Sequence, residues 1–416
     1  MTEGLIVFST FIVGVLLVDP FFAGGLTKAV FAKGMVYAFG FGALGLHCLG
    51  RAVIAPERFS AALREVFSAW WPLFLLSIFV IAGSTYGRAA DGIKESFLNV
   101  GLGMLFLPLF ALAVRSSDRP VATMKWLAAI FVLMALSSLP IMVANIHDFH
   151  ESIFLIVPLG VYLIIAPQFS VWRTVVGLSL IGLCLFSFKN TTFLLVLLSL
   201  FACTGVWLAR VSKLRDRLAV VVGTLVVVPL SVLALVAGFM AWSRHRDSLP
   251  SGNIPYREEM YAIAWRTFLE SPVWGSAFTD ASVVYFQLFQ VAQSTQYLPT
   301  HSDVLDLLAH GGVIAVVLWL LVAKRQFAIA WFAGRTLAAR QAGVDLTRIR
   351  WLAVLALMQL GAMLTYAINP VMINPVYAYW MWGSAGVMWA LYQEIVATPL
   401  PVKTGRYALM QQAPSR

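Results

Sequence analysis

Charge is scarce in this chain. Only 12% of its 416 residues are Asp, Glu, Lys or Arg, about half of the roughly 25% found in soluble domains. That excludes a water-facing globular surface over most of the length. Acidic residues are the scarcer sign, 19 against 29 basic ones, for a net charge of +10. Cysteine is nearly missing. Cys48, Cys184 and Cys203 fall in apolar runs without C-x-x-C spacing, so they read as small buried hydrophobes and not as a disulfide framework. The opening MTEGLIVFST lacks the basic region of a secretion signal and no A-x-A site follows; the first apolar run is expected to be a retained span. No internal repeat and no low-complexity linker occurs. The alternating segments of about ten residues that build a transmembrane barrel are also absent.

Apolar residues are what the chain has, 60% of it, in recurring runs of about 18 or more, each long enough to cross a ~30 Å hydrocarbon core. The expected fold class is an all-α polytopic membrane protein of twelve transmembrane helices. They are placed at about residues 4–20, 31–50, 68–86, 97–114, 122–144, 152–166, 171–187, 190–208, 218–242, 304–323, 351–368 and 377–396. The sixth and seventh are short enough to form a re-entrant pair. On this reading residues 1–242 carry helices 1–9, 243–303 form one long outer loop containing short helices, 304–396 carry helices 10–12, and 397–416 are a tail.

Orientation follows the Lys/Arg bias of the loops. With a cytoplasmic N-terminus, twenty of the 29 basic residues fall in cytoplasmic loops and the tail, so both termini are expected in the cytoplasm. Because this charge is spread over short loops, a nucleic-acid partner is excluded. Trp70, Trp71, Trp380, Trp382 and Trp389 lie near span ends and are expected to anchor at the membrane interface. The basic, amphipathic stretch from Lys324 to Arg350 is expected to lie along the cytoplasmic surface.

The long polar interval is Ser243 to Gly312. It holds Arg244, Arg246, Arg257 and Arg266 and three of the six histidines, His245, His301 and His310. Tyr256 to Glu270 has helical periodicity and Pro272 ends it. Arg257 and Arg266 are nine residues apart, about 180° on a helix, so they face different ways. Arg257, at the helix start, can reach a ligand; Arg266 has Glu270 four residues on as an ion-pair partner. Thr300-x-x-Asp303 resembles a capping box, which would put His301 in the first turn of the tenth span. There a helix N-terminus attracts anions and favours neutral imidazole. His310, beside Gly311 and Gly312, reads as structural, and so does His245, with a contact of its Arg244–Arg246 trio to acidic headgroups or a lipid phosphate as the alternative. Lys189 stands at a span boundary, where it can snorkel or reach a phosphate. His147, Asp148, His150 and Glu151 have H-x-x-H spacing, but a short loop without a second ligand set makes a poor metal site.

The order Arg257-x-x-Met260-Tyr261, Ser271-Pro272-x-x-Gly275 and His301-Ser302-x-x-Leu305-x-x-Leu308 with Gly311 or Gly312 resembles the O-antigen ligase family, which includes polysaccharide polymerases. The resemblance implies a GT-C-like glycosyltransferase of the bacterial inner membrane with its long loop in the periplasm. It implies transfer of a glycan from undecaprenyl diphosphate to lipid A–core oligosaccharide, with polymerisation of the lipid-linked glycan as the alternative and a lipid-linked glycan transporter as a more distant one. Short outer loops elsewhere favour the ligase. His301 and Arg257 take the catalytic positions, with Lys189, Arg257 and Arg266 as cations for the diphosphate. Lys189 stands where an arginine is common, and a lysine offers a point charge without a bidentate fork. Metal-assisted transferases carry paired acids in a longer first loop, whereas only Asp19 is available here, so neither metal nor other cofactor is expected.

Overall fold

The computed structural model describes residues 2–18, 30–86, 91–137, 153–164, 170–185, 195–199, 254–279, 286–287, 297–298, 302–339, 345–368 and 375–397. They form α1 (Thr2–Val18), α2 (Val30–Tyr37), a π turn (Ala38–Gly42), α3 (Ala43–Ile54), α4 (Pro56–Tyr86), α5 (Asp91–Met104), α6 (Phe106–Ser116) and α7 (Pro120–Ser137). These are followed by α8 (Ile153–Ile164), α9 (Val171–Leu185), α10 (Ile254–Glu270), α11 (Asp303–Ala339), α12 (Leu346–Ile368) and α13 (Pro375–Ala397). One two-residue antiparallel pair, β1 (Phe286–Gln287) with β2 (Tyr297–Leu298), lies between α10 and α11.

The chain is helical, and among the described residues five helices are long and apolar enough to cross a membrane: Gly34–Ile54, Pro56–Tyr86, Phe97–Ser116, Asp303–Leu337 and Leu346–Met363. The expected spans at 190–208 and 218–242 lie almost wholly outside the described residues. Proline shapes several of the rest. Pro108 has no amide to offer the Met104 carbonyl, and the expected fourth span is divided there into α5 and α6. Pro72 likewise bends α4, whose backbone leaves helical geometry at Trp70 (φ −119°, ψ 18°). α8 and α9 have only 12 and 15 residues, about 18 and 22 Å of helix. They meet backbone to backbone at Gly160 and Gly177, where an added Cβ would stand 2.8 and 2.6 Å from the opposing glycine's carbonyl oxygen.

At the centre is α13, packed by α6, α12, α5, α7, α1 and α2. Its Tyr379, Trp380, Trp382 and Met388 are fully buried. Tyr379 packs edge-on against Phe106 and Phe110 at 4.7 and 5.3 Å and shares a hydrogen bond of 3.1 Å with Thr10. Here the tryptophan expectation fails. Trp70, Trp380, Trp382 and Trp389 are at most 2% exposed, and only Trp71, at 43%, faces outward. Anchoring applies to helices that touch lipid; a helix enclosed by its neighbours uses large aromatics to fill the core instead. Cys48 and Cys184 are buried, and Cys203 lies outside the described residues.

The stretch expected to lie along the cytoplasmic surface is divided between two helices. α11 continues past Lys324 to Ala339, and its part beyond Gly312 alone makes about 40 Å, longer than the ~30 Å bilayer core. α12 begins anew at Leu346, capped by Asp345, whose carboxylate accepts the Thr347 amide at 2.9 Å. Arg350 is already inside the core, 2% exposed.

Ion pairs gather at one end of the array. Arg51, 3% exposed, grips Asp118 with both guanidinium nitrogens at 2.6 and 2.5 Å. Arg115 bridges Glu65 and Glu394, and Glu3 accepts the Arg119 amide. These contacts bring the start of α1 and the end of α13 to the same end. The bond from Arg51 holds the exposed Asp118 carboxyl below the ordinary carboxylate range.

Candidate active site

At the opposite end of α4, a turn docks into a broken helix. α10 ends at Glu270, before Pro272, and residues 271–279 coil back on themselves, with the Gly275 amide donating to the Ser271 carbonyl at 2.8 Å. α11 is interrupted at Gly312 (φ 60°, ψ −160°), a conformation that only glycine adopts without strain. In an unbroken helix the carbonyls of 309 and 310 pair with the amides of 313 and 314. Here all four groups bond to the turn. Ser276 and Phe278 amides donate to Ala309 and His310 at 3.2 and 3.1 Å, while Val313 and Ile314 amides donate to Pro272 and Val273 at 2.9 and 3.4 Å. Backbone groups buried by the break are thereby satisfied.

The docking is close. Gly275 (φ 59°) lies against the 309–311 backbone, and a Cβ on Gly83 of α4 would stand 2.0 Å from the Ala277 carbonyl oxygen. Ala277 and Phe278 hold left-handed φ values of 51° and 58°. Burial holds them there: Phe278, 1% exposed, packs edge-on against Phe79 and Phe97, each at 5.3 Å. His310 is fully buried, and its Nδ1 shares a 2.8 Å hydrogen bond with the Ser276 hydroxyl. This is the structural role expected for His310.

The docked turn also sets the direction of α10. Ala264 packs on Ala309 with Leu305 beside them, and residues 272–273 bond to 313–314. Positions rise together along both helices, so α10 and α11 run parallel and begin at the same end. Two helix N-termini side by side leave unpaired amides and partial positive charge that suit an anion. α11 starts with Ser302 as its cap, the hydroxyl accepting the Leu305 amide at 3.3 Å. The first turn therefore begins at Asp303, two residues later than the Thr300 capping box implied. Ser302 and Asp303 are buried, and Asp303 is near enough to Tyr366 of α12 to interact with it electrostatically.

Arg257 belongs to the first turn of α10, at the helical position one turn before the buried Met260. Arg266 is exposed on the other side of the helix. Its Nε approaches the Ala262 carbonyl at 3.5 Å, and it forms no ion pair with Glu270, so that expectation is not met. His301, Lys189, the Arg244–Arg246 trio and the His147–Glu151 cluster lie outside the described residues. Sequence reading passed over Gly83 and Ser276 as functional supports. The Gly311–Gly312 pair inside an apolar run was the available signal for a helix break; nothing local marks Gly83, because its partner is almost two hundred residues away.

Residues 175–320 match the family model Wzy_C, described as O-antigen ligase. The matched stretch is about a third of the chain and contains α10, the docked turn and the first half of α11. No curated protein matches the chain. Members of the matched family are membrane enzymes that transfer glycosyl groups and use lipid-linked glycans. The match thus covers the unit in which a turn locks two parallel helix N-termini together, and it supports the O-antigen ligase family for this chain.

Proposed function

We propose that the protein is an O-antigen ligase of the bacterial inner membrane, with both termini cytoplasmic and α10 facing the periplasm. It moves a glycan from undecaprenyl diphosphate to lipid A–core oligosaccharide. The observation that carries this reading is the paired start of α10 and α11, which offers a diphosphate two helix N-termini with Arg257 in one of them.

The acceptor hydroxyl attacks the anomeric carbon and gives its proton to His301. The bond from that carbon to the diphosphate oxygen breaks, and the leaving diphosphate keeps the electron pair. Attack from the face opposite the leaving group inverts the anomeric centre. Developing negative charge on the diphosphate is stabilised by Arg257 and Lys189. Arg266, exposed on the far side of α10, is the weakest member of the proposed cation set.

The test is glycan transfer in proteoliposomes containing lipid A–core and undecaprenyl-diphosphate glycan, with EDTA present. Transfer by wild type is expected to persist in EDTA. His301→Ala is expected to lower it at least 10²-fold, the scale of a lost general base. Arg257→Ala is expected to lower it about 10²–10³-fold, whereas Arg266→Ala retains most activity. Elongation of the lipid-linked glycan without transfer to lipid A–core would replace the ligase with a polymerase. Full activity of both His301→Ala and Arg257→Ala would refute the site.

A further inference from the structure

A cavity of about 630 Å³ opens between α4, α11 and α13 where Pro72 bends α4. It is far from the docked turn. Ser68 in its wall and Gly83 under the turn are fifteen residues apart on α4, about 22 Å of helix. Its lining is divided by chemistry. Lys324 and Arg325 stand at one side, and Trp71, Leu321 and Ile329 form apolar wall. Neither cation has an ion-pair partner among the described residues, whereas Glu65 at the mouth is held by Arg115 at 2.9 Å. Arg325 is stacked over the Trp70 ring at 5.7 Å from its centroid, which fixes the guanidinium in place. Trp70 is fully buried, and its indole N–H has no acceptor among the described residues, an uncompensated donor in a wall of the cavity. Outside the mouth, Phe67, Trp71, Leu75, Leu320 and Leu321 are exposed apolar side chains on the same two helices, as expected where a helix meets lipid.

Two unpaired cations beside apolar walls, on a lipid-facing side, match one amphiphile: an anionic headgroup with hydrocarbon attached. We propose that this cavity binds an anionic phospholipid, its phosphate on Lys324 and Arg325 and its acyl chains along Trp71 and Leu321. The cavity lies at the end of the array that carries the Arg51–Asp118 and Arg115–Glu394 pairs, so the lipid comes from the leaflet opposite the one that the glycan-transfer site faces. The proposal does not depend on the transfer reaction.

Native mass spectrometry of the full chain, released from nanodiscs of mixed phosphatidylglycerol and phosphatidylcholine, tests it. Wild type is expected to retain phosphatidylglycerol selectively. K324Q/R325Q is expected to lower that retention at least fivefold, while R325K, which keeps the charge, retains most of it. L321W, which fills the apolar side without altering charge, is expected to lower retention independently and guards against misfolding of the double variant. A parallel arm adds millimolar inorganic phosphate to nanodiscs of phosphatidylcholine alone; protection of the protein against heat in that arm to the same degree as by phosphatidylglycerol would make this a site for free phosphate and overturn the lipid assignment. Equal retention of the two lipids, or retention by K324Q/R325Q and L321W equal to wild type, would also overturn it.

Discussion

At the scale of single residues, the docked turn depends on positions where a methyl group cannot fit. Gly312 is at φ 60°, and a Cβ there would stand 2.4 Å from the Val273 carbonyl oxygen. Gly312→Ala is expected to destabilise the protein by about 1–3 kcal/mol from backbone strain alone, measured as a lower midpoint of thermal unfolding in detergent. Gly83→Ala meets the Ala277 carbonyl with no strain of its own, so it tests the contact separately; it is expected to lower the midpoint and to expose the 271–279 turn to proteolysis. Ser276→Ala removes one hydrogen bond from His310 and is expected to cost about 1 kcal/mol. A Ser276→Ala protein as stable as wild type would show that the bond contributes nothing.

At the scale of elements, α11 joins the two ends of the molecule. Its first half takes the turn into the Gly312 break, and its second half carries Lys324 and Arg325 to the cavity. Between α11 and the core sits a local inconsistency. Gln326 is 2% exposed, yet neither its amide nitrogen nor its oxygen finds a partner among the described residues. Burying an unbonded amide is costly, so Gln326→Met is expected to raise the unfolding midpoint by the equivalent of about 1 kcal/mol; no change or a fall would mean the amide is satisfied in the membrane. Contrast Gln359 on α12, whose amide donates to the Met381 carbonyl and the Ser384 hydroxyl at 2.8 and 2.7 Å, tying α12 to α13 as buried polar groups do between membrane helices.

At the scale of the whole molecule, ion pairs among the described residues gather at one end, and that end has a pH dependence of defined sign. Asp118 titrates below its ordinary value of 3.8 because Arg51 bonds to the charged form. A carboxyl whose folded value is depressed contributes stability above the unfolded value and loses it as pH falls through the folded one. The difference in thermal midpoint between wild type and Asp118→Asn is therefore expected to be constant near neutral pH and to shrink as pH drops below about 3.8. The carboxylate is exposed, so the effect is small and screened by salt. A difference that grows toward acid would reverse the assignment.

Much of this protein was legible without coordinates. Hydropathy is a property of a segment by itself, so the helical membrane class, the helix ending before Pro272 and the burial of Cys48 and Cys184 followed from residue order alone. The resemblance carried by Arg257, Ser271-Pro272 and His301-Ser302 likewise lies within one stretch, which the family match covers. What required tertiary structure was every property that depends on a distant partner. Which helix is enclosed, and so whether Trp380 and Trp382 meet lipid or core, depends on the helices packed around α13. The parallel start of α10 and α11 depends on a turn whose carbonyls and amides exchange with a break at Gly312. The room for that turn depends on Gly83, and its place on α4 has no local signature. Sequence reports the solvent each segment prefers; only packing decides which neighbours supply it.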